Sequence, residues 1–254
     1  MNHKRLQDIA GVTHVGLRRR TNEDVMAWDS ELGLALVADG VGGHQGGEVA
    51  SLTAARSIQA DLRVALRAEG VEPHGDCRDR RAALVHELVR RANQRVRVAA
   101  GRSRELAGMG TTLALTLLGS DFATIANVGD SRVYRMRGGA LERLTHDHFA
   151  LAELVERGHV APGDASRSAL RNVLSRALGM PGEIEPELTH HRLEGDDLFL
   201  LCSDGLTTAA TDEEIGELMR GAGQDLHRAA EQAVELANRR GGRDNVSVIL
   251  MRIA

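Results

Sequence analysis

GLALVADGVGGHQGGEVAS, residues 33–51, sets an apolar run against a glycine-rich one. Leu34 to Ala38 has the short, continuous apolar character of a strand buried on both faces, and it ends on a carboxylate, Asp39. Five glycines follow within eight residues, so the spacing predicts that the strand breaks at Asp39 into a loose turn. From Glu48 to Ala68 the period becomes helical, with Val49, Leu52, Ile58, Leu62 and Leu66 on one stripe. One acid in such a turn can cap the next helix. Several acids reaching such turns from distant parts of the chain would form a metal site.

The arrangement recurs. NVGDSR places Asp130 after the run Phe122 to Val128, and LLCSDG places Asp204 after Leu198 to Cys202. RDNVSVIL places Asp244 just before a strand, and RRRTNED supplies Glu23 and Asp24 ahead of another. A lone Asp-Gly is usually only a turn residue. Four coincidences favour one site instead, because strand ends at one rim of a sheet converge in space. Carboxylates so close cannot all stay ionised without a cation. All-oxygen donors select Mg(II), Mn(II) or Ca(II) over zinc, and no twelve-residue EF-hand spacing is present. The acids outnumber the needs of one ion, which points to a pair. Two ions about 4 Å apart can activate a bridging water for attack on phosphorus. Gly40 would let the backbone approach and offer its carbonyl.

The remaining pattern places these acids in a fold. A second amphipathic helix is expected from Arg80 to Ala99, through Leu84, Leu88, Ala92 and Val96, after a loop over 71–79. TTLALTLLG, FATIANVGD and RVYRMRGG read as three successive strands, which favours an antiparallel meander. A short helix is expected from Ala150 to Arg157, with Asp147 of THDH as its cap. His190 and His191 read as surface residues. Helices follow over Asp212–Arg220, with Asp212 as N-cap, and over Gln224–Arg240; a last strand closes the chain. Helices segregated from runs of strands define an α+β class, with sheet in the middle and helices outside. No linker or repeat interrupts the 254 residues, so a single domain is expected.

Composition excludes several functions. A net charge of −4 argues against nucleic-acid or membrane-surface binding, and no apolar run approaches the roughly 20 residues of a membrane span. MNHKRLQDIAG lacks the apolar stretch of a signal peptide, so a cytoplasmic protein is expected. Cys77 and Cys202 are too isolated for a disulfide framework, and Cys202 sits in an apolar strand as an inert thiol. Lys4 is the only lysine, which rules out both a Walker A loop and the strand lysine of a protein kinase.

In order along the chain, RRRTNED, VADGVGGHQGGEVAS, MGTTL, NVGDSRVY, LTHDH, RNVLSRALG, LCSDGL and RDNVSVIL resemble the metal-dependent protein phosphatases of type 2C, in their compact bacterial form. The resemblance implies a four-layer αββα sandwich, two stacked antiparallel sheets flanked by helices, with residues 147–180 as a flap. It implies hydrolysis of phosphoserine and phosphothreonine in proteins with two Mn(II) or Mg(II) ions, reversing Ser/Thr kinases, by a monomer. Asp39 would bridge the ions, the Gly40 carbonyl would bind one, and Asp204 and Asp244 would complete the other. Glu23 would hold a metal-bound water, with Asp24 and Asn245 behind the ligands. Asp130 would join Asp204 at a third, weaker metal. Arg19, four residues before Glu23, matches the family's phosphate-binding arginine, although Arg18 and Arg20 offer the same chemistry. His44 is the candidate proton donor, yet it follows Asp39 by five residues, where non-bacterial relatives keep a histidine two residues after the acid and this chain has Val41.

Other phosphatase chemistries fail on their residues. A cysteine-dependent enzyme needs Arg six residues after its Cys, and Thr208 and Ala83 stand there. No strand-end Asp belongs to Asp-x-Asp, and GDxHG and GNHE are absent. The alternative reading is a catalytically weak homologue that binds phosphoproteins or acts as a partner switch.

Overall fold

The computed structural model describes residues 6–42, 46–68, 77–161, 170 and 172–254. Leu34–Val41 is β3, and its alternation sets the layers: Leu34 and Leu36 face one side, Ala35 and Val37 the other, all fully buried. Leu34 and Leu36 pack on Ala54, Ile58 and Leu62 of α1 (Gly46–Ala68) and on Val85, Val89 and Val96 of α2 (Arg78–Ala100). Ala35 and Val37 pack instead on Phe199, Leu201, Ile249 and Met251 of a second sheet. A strand covered on both faces must be apolar throughout, which is why this run stands out.

The sheet containing β3 has the order β2 (Asp24–Asp29), β3, β5 (Leu113–Leu118), β6 (Phe122–Val128), β9 (Glu187–Arg192), with the two-residue β4 (Gly110–Thr111) paired to the end of β3. The other runs β1 (Leu6–His14), β11 (Val246–Ile253), β10 (Leu198–Cys202), β7 (Arg132–Arg137), β8 (Ala140–Arg143). Every pair is antiparallel. A short α3 (Ala150–Glu156) and a one-turn α4 (Asp204–Thr207) precede α5 (Asp212–Arg220) and α6 (Leu226–Arg239). Helices α5 and α6 cover the outer face of the second sheet through Ile215, Met219, Ala230 and Ala233. The architecture is an α+β sandwich of four layers. No helix among the described residues is long and apolar enough to cross a membrane.

Several expectations need correction. Strand β3 does not break at Asp39: it runs through Gly40 to Val41, because Gly40 and Val41 find β4 as a partner. The three successive strands are no meander. β5 and β6 pair, but the chain then crosses at Gly129, with φ +102°, and β7 joins the other sheet beside β10. Helix α5 is capped by Thr211, whose hydroxyl accepts from the Glu214 amide while Glu214 reaches back, so Asp212 lies inside the first turn. Asp147 does not cap α3; Arg132 donates to both its carboxylate oxygens, at 2.8 and 2.7 Å. His190 and His191 belong to β9 and are half-buried, with His190 against Thr124 and edge-on to Phe122. Most of the 71–79 loop lies outside the described residues.

Candidate active site

The topology brings the acids together. β3 and β6 run the same way, β2 runs against them, and their relevant ends carry Asp39, Asp130 and Asp24 to one rim. In the second sheet β10 ends just before Asp204, and its antiparallel neighbour β11 begins just after Asp244. Stacking the sheets closes a cleft of about 280 Å³ lined by Arg19, Glu23, Asp39, Gly40, Asp130, Asp204 and Asp244. Val41, Gly42, Asn172 and Leu174 complete its wall. Arg18 and Arg20 do not line it, and His44 lies outside the described residues.

Each acid has a holder. The Asp39 amide donates to the Thr112 hydroxyl at 2.9 Å, and its carbonyl accepts from the Thr112 amide and the Thr111 hydroxyl at 2.8 and 2.9 Å. Thr112 in turn meets Ser131, beside Asp130, at 2.7 Å. Asn245 accepts from the Glu23 amide at 2.8 Å and donates to the carbonyls of Val15 and Thr21, so one carboxamide fixes the approach to β2. Asp24 lies directly opposite Asp39 in the ladder and accepts from Ser203 at 2.7 Å. Gly40 also meets a packing need that its sequence did not show. A Cβ there would fall 2.2 Å from the Gly47 carbonyl oxygen, and one on Gly47 would fall 2.6 Å from Glu23 Oε2. The paired glycines let the first turn of α1 press against Glu23 and the end of β3.

The charges are poorly satisfied by protein alone. Asp24 is buried, and among the described residues its Oδ1 has no hydrogen-bond partner. Burial, aided by Asp204 and Asp244, pushes its pKa up to about 6. Burial and Asp204 push Asp130 up to about 7. Asp39, facing Asp24, Asp204, Asp130 and Asp244 from a desolvated position, is held well above the usual carboxylate range. Asp204 and Glu23 are raised too, chiefly by burial. Against this, among the described residues, stands Arg19 as the cation lining the cleft, donating to Asp244 at 2.7 Å. Among the described residues no three acidic, histidine or cysteine side chains close on a common point as a finished ligand cluster. The acids share a cleft instead, with Asp244 drawn toward Arg19. An oxygen-only donor set, raised toward protonation by burial and further by mutual repulsion, and short of positive charge, fits hard divalent cations.

The sequence did not single out Thr112, Ser131, Ser203, Asn172 or Leu174. Thr112 lies at the start of a run read as a strand and Ser131 follows a turn read at Gly129-Asp130, so neither hydroxyl stands out locally. Asn172 and Leu174 reach the cleft because Phe149 bridges Leu174 and Leu178 bridges Thr111, contacts without a local signal.

Residues 14–240 match the Protein phosphatase 2C family. The serine/threonine phosphatase stp of Listeria monocytogenes is 33% identical over 245 residues, covering 94% of this chain and 93% of that one. The crystal structure of the Mycobacterium tuberculosis serine/threonine phosphatase PstP/Ppp superposes with a TM-score of 0.82 at 33% identity, covering 96% of this chain and 97% of that one. The catalytic domain of PstP in complex with two manganese ions gives a TM-score of 0.79 at 34% identity, with 97% and 98% covered. The fold and these matches define a protein phosphatase scaffold. This chain belongs to the protein phosphatase 2C family.

Proposed function

We propose that the chain is a metal-dependent protein serine/threonine phosphatase, one catalytic domain over residues 1–254 with a flap over 147–180. The observation that carries this reading is the meeting of Asp39, Asp204, Asp244, Asp130 and Glu23 with Arg19 in one cleft. Asp39, Gly40, Asp204, Asp244 and Glu23 would hold two Mn(II) or Mg(II) ions, and Asp130 with Asp204 a third, weaker one. Bound there, the ions supply a nucleophile at neutral pH and offset charge on the phosphoryl oxygens.

The reaction breaks the phosphorus–oxygen ester bond, adds the oxygen of water to phosphorus and returns a proton to the serine or threonine oxygen. Arg19 grips two phosphoryl oxygens with its planar fork and presents the phosphorus to the acids behind it. Asn245 and Ser203 keep Glu23 and Asp24 in place. His44 is the proton donor in this reading, and its replacement by Ala lowers kcat for alkyl esters more than for p-nitrophenyl phosphate, whose leaving group needs no proton. The substrates are phosphorylated proteins of Ser/Thr kinase pathways, met in the cytoplasm by a monomer.

The test is hydrolysis of p-nitrophenyl phosphate and a phosphothreonine peptide, with Mn(II) and with EDTA, by wild type and Asp39→Asn. Turnover that needs Mn(II) and disappears in the variant supports the reading. No turnover by the wild type would favour the phosphoprotein-binding alternative.

A further inference from the structure

Two cavities follow one another between α1 and α2. One, of about 510 Å³, opens between Val64 and Ala65 of α1 and Ala83 and Leu84 of α2. The other, of about 630 Å³, opens between Thr53 of α1 and Arg90, Arg95 and Val98 of α2, with Arg102 just past the helix end. Arg91 lines both, which joins them as halves of one groove: the first is mostly apolar, with Asp61 and Glu87 set against Arg80 and Arg91, and the second is basic. Val64 is 63% and Val98 56% exposed, so each half leaves an apolar side chain uncovered.

The basic half carries excess positive charge. Arg90 and Arg91 share a single acid, Glu87, and Arg95 pairs with Asp61. Arg102 has no ion pair among the described residues. Helix α2 as a whole bears seven arginines against Asp79 and Glu87, on a chain whose net charge is −4. This local sign reversal selects an anionic occupant. Among the described residues neither half is lined by an aromatic ring, the platform on which a nucleic-acid base stacks. A concave groove with an apolar floor also suits a polypeptide better than a bilayer surface.

Position ties the groove to the cleft. Helix α1 starts at Gly46, where Gly47 presses on Glu23 and Gly40. Thr53 lies seven residues along the helix and Val64 eighteen, so the basic half begins roughly 10 Å and the apolar half ends roughly 27 Å from that start. An extended chain covers these distances in about three and about eight residues. We propose that the groove between α1 and α2 docks an acidic segment of the phosphoprotein substrate, with carboxylates on Arg91 and Arg102 and an apolar residue farther out by Val64. The proposal rests on the phosphatase reading and adds a preferred substrate class.

The experiment compares two phosphothreonine peptides of equal length. One carries glutamates four to six residues from the phosphothreonine and a leucine farther on, and the other carries glutamines at the same places; each is made in both chain directions. The expected result is kcat/KM about tenfold higher for the acidic peptide in one direction, through KM, which is the factor that two or three exposed charge pairs supply. Arg91→Gln with Arg102→Gln removes that preference and leaves p-nitrophenyl phosphate turnover within about twofold of wild type. Arg91→Glu with Arg102→Glu reverses the preference. Equal kcat/KM for both peptides, or a preference that survives in both double variants, overturns the proposal. Absence of all turnover defeats the phosphatase reading instead. Docking is then read by fluorescence anisotropy of the labelled acidic peptide: binding lost in Arg91→Gln/Arg102→Gln upholds it, and no binding overturns it. Sedimentation with phosphatidylglycerol vesicles that depends on the same arginines, without peptide preference, overturns it in favour of a membrane.

Discussion

Arg19 donates to Asp244 and faces Glu23 and Asp39 across the cleft, so its guanidinium is already among the groups that would surround a phosphoryl substrate. Paired, charge-assisted hydrogen bonds are worth roughly 2–3 kcal/mol, or about 30–160-fold in rate. Arg19→Ala is expected to lower kcat/KM for p-nitrophenyl phosphate by about that factor. Arg19→Lys should recover only part, because an ammonium offers no planar fork. Full recovery by lysine would show that charge alone is used. At this scale the sequence was informative wherever an acid ended an apolar run, as at Asp39 and Asp204. It was silent on Thr112 and Ser203, because their partners, the Asp39 backbone and Asp24, lie 73 and 179 residues away in the chain.

Among the elements, legibility followed burial. Strands β3, β5, β6, β10 and β11 are almost wholly buried and announce themselves as apolar runs. The strands that escaped notice, β1, β8 and β9, are all sheet edges with mixed burial, where composition has no reason to alternate cleanly. The crossing at Gly129 was hidden for another reason: a hairpin and a change of sheet both need a glycine turn, and only the far partner of β7 decides between them. The cap of α5 moved by one residue because Thr211, with Glu214 three positions on, completes a reciprocal box that Asp212 cannot. Thr211→Ala is therefore expected to cost about 1 kcal/mol. Denaturant unfolding should show this as a lower midpoint with unchanged turnover; no shift would remove the cap from the account.

Across the whole molecule, two sheets are stacked so that their acidic ends coincide, which opposes stability and serves binding. Asp130, with its pKa near 7 against an unfolded value of about 4, binds a proton more readily in the folded state. Its stabilising proton is present at pH 4 and lost as pH rises through 7. His148, His190 and His191 are all depressed, chiefly by burial, and favour the fold as pH rises toward 6.5, so the raw pH profile mixes opposite slopes. Asp130→Asn separates them. In EDTA the variant should be more stable than wild type by on the order of 4 kcal/mol at pH 7.5, by about 1–2 kcal/mol at pH 5, and nearly equal at pH 4. A difference independent of pH, read from thermal unfolding, would deny Asp130 its raised pKa.

In the proposed phosphatase, acids from separate segments act as one receptor for divalent cations. Calorimetric titration of Mn(II) into wild type and Asp39→Asn at pH 7.5 tests it most directly. It predicts two tight equivalents on the wild type, with any third weaker, and loss of tight binding in the variant. No heat of binding, or the same two equivalents in Asp39→Asn, would contradict it.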